Sequence, residues 1–116
     1  MKKVKTRKGM SYILNRDIKR KRLTDVRRFP RQIGKTTELY KIAKEKDYMI
    51  VVGTYKHAKL LNLLFDTNRF IPFSNNGVFS KLSGTKFLLE EDLTLEQEKF
   101  LIKKYNVVGG LSSNAR

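Results

Sequence analysis

Apolar positions recur at helical spacing from Thr36 to Lys46, where Leu39, Ile42 and Ala43 mark one buried face. The next run, Tyr48 to Val52, is continuous rather than periodic. It is rich in β-branched residues and stops at Gly53, which predicts a parallel strand buried on both faces. Helical spacing returns over His57 to Phe65, with Ala58, Leu60, Leu61, Leu64 and Phe65 as its apolar positions. Asn68 to Gly84 is broken by Pro72, Asn75-Asn76-Gly77 and Ser83-Gly84, with a short strand expected around Phe70, Ile71 and Phe73.

A second apolar run, Lys86 to Leu89, ends in Glu90-Glu91-Asp92. Thr94 and Gln97 stand at capping-box spacing and predict a helix to about Lys104, with Leu95, Leu101 and Ile102 inward. Asn106 to Val108 reads as a last strand before Gly109-Gly110, a pair expected to form a turn or a phosphate-sensing loop. The alternation predicts an α/β fold, a small, mostly parallel sheet flanked by helices.

The amino-terminal part is patterned less clearly. Met10 to Leu23 predicts a helix with Tyr12, Ile13, Ile18 and Leu23 as scattered anchors, and Thr24 to Phe29 a short extended piece. Pro30 biases Phe29 toward extended geometry. The chain thus divides into a basic amino-terminal arm or helix, 1–23, and an α/β domain, 24–116.

Charge changes this picture. The 116 residues carry a net +15, of which residues 1–35 hold +12 through fourteen Lys/Arg against two Asp. Such self-repulsion favours a polyanionic partner, nucleic acid or a nucleoprotein complex. The phosphate-contacting candidates are Lys19, Arg20, Lys21, Arg22, Arg27 and Arg28. There is no cysteine and no apolar run of membrane or signal-peptide length, so the expectation is a cytoplasmic chain with no membrane partner.

One short stretch carries specific chemistry. Gly34-Lys35-Thr36 fills the last three fixed positions of the phosphate-binding pattern G-x-x-x-x-G-K-[ST], while Phe29 stands where its first glycine belongs. Phosphates need backbone N–H groups, a helix start, an ammonium and a hydroxyl for Mg²⁺. Gly34 permits close backbone approach, Lys35 suits the β- and γ-phosphates, and Thr36 suits the metal. The plain alternative is a helix start with Thr36 as a surface cap.

Arg31-Gln32-Ile33-Gly34-Lys35-Thr36-Thr37 resembles the deviant Walker A loop of phage terminase large subunits, the DNA-packaging ATPases of tailed phages. The likeness runs through Tyr48 to Ala58 and covers roughly residues 28 to 65. It implies a reduced P-loop NTPase-like fold of phage origin, working in the host cytoplasm, with ATP and Mg²⁺ as cofactors. It also implies that Arg31 to Thr37 cradle the nucleotide. Phe87-Leu88-Leu89-Glu90-Glu91-Asp92 is similar to a Walker B segment. The resemblance gives Glu90 the metal-side role and Glu91 the base role; a register one residue later gives Glu91 and Asp92. The segment before the loop, Leu23 to Phe29, is more basic than a central strand should be.

His57, the lone histidine, reads as a surface residue at a helix start, and Tyr55 as a residue able to stack on a base. Two functions remain open. One is a compact nucleotide-binding protein, possessing or lacking ATPase turnover, that acts on nucleic acid. The other is a non-enzymatic basic protein, a packaging accessory or an inhibitor of a host system, that keeps only the fold.

Overall fold

The computed structural model describes residues 7–29, 34–73 and 84–114. The Asn75-Asn76-Gly77 breaker lies outside them. Among the described residues five strands form one sheet, all parallel: β1 (Thr24–Asp25), β2 (Met49–Val52), β3 (Phe70–Pro72), β4 (Lys86–Leu89) and β5 (Asn106–Ser112). Their spatial order is β1-β5-β4-β2-β3. The helices are α1 (Arg7–Lys19), α2 (Lys35–Lys46), α3 (Tyr55–Phe65) and α4 (Leu95–Lys104).

The continuous apolar runs become the middle of the sheet because both of their faces are covered. Ile50, Val52 and Leu88 pack under α1, α2 and α3. Val51, Phe87 and Leu89 point the other way, into a smaller cluster with Leu93 and Leu101 beside α4. α4 starts as its sequence predicts: the Thr94 side chain accepts from the Gln97 N–H at 3.1 Å and the Gln97 side chain accepts from the Thr94 N–H at 3.0 Å.

Several expectations are corrected. The first helix ends at Lys19, not Leu23, and its buried apolar residues are Met10, Ile13, Leu14 and Ile18, while Tyr12 is exposed. It closes with Lys21 in the left-handed region (φ 53°), the Arg22 N–H bonding to Asp17 O at 3.1 Å and the Lys21 N–H to Ile18 O at 3.0 Å. Buried Asp17 then accepts from the Thr24 hydroxyl at 2.7 Å, which ties α1 to β1. The expected extended piece is only two residues of strand, followed by a 3₁₀ turn over Val26–Arg28. β1 lies at the sheet edge, and the basic Arg27 and Arg28 fall in the turn after it, outside the sheet.

Gly109-Gly110 is neither a turn nor a loop. It lies inside β5, which continues to Ser112. A side chain at Gly109 would meet Ile18 Cγ1 of α1 at 2.6 Å, and one at Gly110 (φ 131°) would meet the Leu89 backbone at 2.3 Å. The pair is therefore where β5 passes close under a helix and beside β4, next to a register shift. On α4 only Leu101 of the three expected inward residues is buried; Leu95 and Ile102 face solvent. On α3, Ala58 and Leu61 are buried, whereas Leu60 and Leu64 are not.

Candidate functional site

Parallel strands gather their carboxyl ends along one edge of the sheet, and ligands in such folds bind there. Here that edge carries the start of α2 and the turn after β4. Gly34 is the N-cap of α2, in the left-handed region (φ 81°, ψ 38°), and supplies no side-chain cap. Left-handed backbone strains any residue with a Cβ, so glycine suits this position.

Lys35 and Thr36 form the first turn of α2, and both meet the acidic turn. The Thr36 hydroxyl donates to Glu90 Oε2 at 2.9 Å across fifty-four positions of sequence. Lys35 Nζ lies 3.5 Å from Glu91 Oε1. Glu90 follows β4 directly, and its N–H extends the ladder to Val51 O at 2.9 Å. Its side chain is turned toward α2 and is 1% exposed. Its other oxygen accepts from the Glu91 N–H at 3.0 Å.

Burial pushes the Glu90 carboxyl above the usual carboxylate range. The charges of Glu91 and Asp92 push the same way, while the bonds from the Glu91 N–H and the Thr36 hydroxyl hold it back. A cation beside Glu90 would favour its ionised form.

The third acid of the turn goes elsewhere. Asp92 Oδ2 accepts from the Gly53 N–H at 2.9 Å and lies 2.8 Å from His57 Nδ1. Gly53 has no room for a side chain there, because a Cβ would sit 2.9 Å from Asp92. Of the two possible registers for the acidic pair, α2 thus contacts Glu90 and Glu91. Sequence reasoning missed the His57–Asp92 pair. The partners are thirty-five residues apart, and no local pattern joins them.

Arg31, Gln32 and Ile33 lie outside the described residues. Thr37 is half-buried in the first turn of α2. The basic candidates divide into two groups. Lys19, Arg20, Lys21 and Arg22 are exposed where α1 ends, with Arg22 Nε 3.3 Å from Asp17. Arg27 is held by Asp25 at 2.6–3.0 Å, a pairing that depresses the Asp25 carboxyl pKa. Arg28 buries its Nε without a hydrogen-bond partner among the described residues.

Among the described residues no group of three or more His, Asp or Glu could hold a metal by itself. Mg²⁺ at a nucleotide site takes one or two protein oxygens, the rest coming from phosphate and water. The Thr36 hydroxyl and Glu90 carboxylate, 2.9 Å apart at a helix start, fit that role. No helix among the described residues is long and apolar enough to cross a membrane. No protein-family model, curated protein or solved structure matches the chain.

Proposed function

We propose that this chain is a compact P-loop nucleotide-binding protein, of phage type, that takes ATP with Mg²⁺ and acts on or with nucleic acid. The observation that carries the reading is the Thr36–Glu90 hydrogen bond. A chance Gly-Lys-Thr at a helix start needs no buried carboxylate. Here the hydroxyl meets one from the end of a neighbouring strand, and the adjacent lysine meets the next acid in line.

Thr36 and Glu90 would hold Mg²⁺. Lys35 and the N–H groups at the start of α2 would hold phosphate oxygens. The metal supplies charge neutralisation at the phosphates when bound. Lys35 shared between Glu91 and phosphate leaves Glu91 freer to accept a proton from water, which is the role of a general base. The start of α2, whose N-cap glycine has no side chain, directs its dipole to the same place.

Calorimetric titration with ATP and Mg²⁺ tests this, with wild type beside Lys35→Ala. Binding by the wild type that is lost in the variant supports the reading. Wild type that binds no nucleotide overturns it. A second reading, nucleic-acid binding without turnover, is favoured by the exposed Lys19 to Arg22 run. Charge reversal there should weaken binding to a duplex and flatten its salt dependence.

A further inference from the structure

We infer that the outer face of α3 is a docking surface for an acidic amphipathic helix of another protein. The inference is independent of nucleotide binding. The inner face of α3 is occupied, with Ala58, Leu61 and Phe65 packed in the core beneath it. The outer face is apolar as well. Tyr55 is 71% exposed, Leu60 61%, Leu63 73% and Leu64 70%. Isolated exposed leucines are ordinary, but three within five residues on one short helix form a patch.

The patch has relief. Leu63 and Lys59 stand between two grooves of about 480 Å³ each. One is lined by Thr54, Lys56, His57 and Leu60, the other by Tyr55, Ala58, Asn62, Asp66 and Phe70 on the β3 side. A ridge with a groove on either flank receives the side-chain rows of a second helix. A flat bilayer surface would leave the grooves unfilled.

Charge selects the occupant. Within α3 the charged residues are Lys56 and Lys59, both exposed beside the leucines, while the one acid lining the grooves, Asp66, caps the carboxyl end of the helix, past Leu64. A second copy would bring the same lysines to the interface, in a chain of net charge +15. Nucleic acid would pair with the lysines but gain little from the leucines. A helix with leucines on one face and glutamates at its margins satisfies both.

The test uses the full chain and a synthetic helical peptide with Leu at i, i+3, i+4 and i+7 and Glu at the flanking positions. Its controls are a scrambled isomer of equal charge and a version with Lys for Glu. Anisotropy at near-physiological salt should show binding of the acidic amphipathic peptide above both controls. The double variant Leu60→Ser, Leu63→Ser, with its fold checked by circular dichroism, should weaken that binding about tenfold or more. Lys56→Glu with Lys59→Glu should shift preference toward the Lys peptide. Equal binding of the scrambled isomer, or no loss in the leucine variant, overturns the inference. So does a wild-type dimer in light scattering that Leu63→Ser dissociates, since a second copy then covers the face. Binding to anionic vesicles that needs Leu60 and Leu63, without binding of the peptide, also overturns it and assigns the face to a membrane surface.

Discussion

α2 and α4 begin in opposite ways. α4 is completed locally: Thr94 and Gln97 exchange both capping-box bonds within one turn. α2 begins on a left-handed glycine with no side chain to cap it, and its first-turn lysine and threonine reach carboxylates more than fifty residues away. A helix start satisfied by its neighbours is structural. One that starts on a glycine without a capping side chain, and whose first turn is joined to distant acids, is tied to the rest of the fold instead of to its own turn. The difference lies in what each helix start is joined to, since both belong to helices of similar length in the same fold.

The largest effect that tests this contrast is on binding. Lys35→Ala should weaken ATP affinity about 10- to 100-fold by calorimetry, the scale of a lost charge-assisted hydrogen bond. Thr94→Ala should leave that affinity unchanged. Equal losses in both variants would break the distinction. On stability, Gly34→Ala should cost about 1–2 kcal/mol in urea unfolding, because a Cβ is forced into left-handed backbone. Thr94→Ala should cost about 1 kcal/mol through the lost cap.

A pH series sharpens the role of Glu90. Its folded pKa lies above the unfolded one, so the folded state binds more protons between the two values. Stability therefore falls as pH rises from the ordinary carboxylate range through the raised pKa. Glu90→Gln has no such proton to lose. Its melting temperature relative to wild type should climb across that window and be level below it. A flat difference would place Glu90 in a less buried setting. The smallest expected effect is Lys21→Gly at the end of α1, a gain of up to ~1 kcal/mol from relieved left-handed backbone.

Much of the scaffold was legible. The β-branched run at 48–52 and the run at 86–89 each became strands within a residue of their expected limits, because continuous apolar segments have few other places to go. Phe29 is extended (φ −115°, ψ 143°), as the residue before Pro30 should be. Errors concentrated where burial depends on distant neighbours. Leu60, Leu95 and Ile102 are apolar yet exposed, since helical periodicity marks a stripe without saying how much of it a neighbour covers. Gly109-Gly110 resembles a turn locally, but α1 and the β4 backbone make it a close crossing.

By itself, the sequence determined the alternation of strands and helices, the α4 cap and the concentration of charge in the first thirty-five residues. These follow from local periodicity, local hydrogen bonding and composition. The packed fold was needed to show which two of three consecutive acids meet α2, that Asp92 turns instead to His57, and that Leu60, Leu63 and Leu64 of α3 are exposed. The physical reason is range. A hydrogen bond between Thr36 and Glu90 depends on strand order and register, and those are set by packing the whole sheet at once.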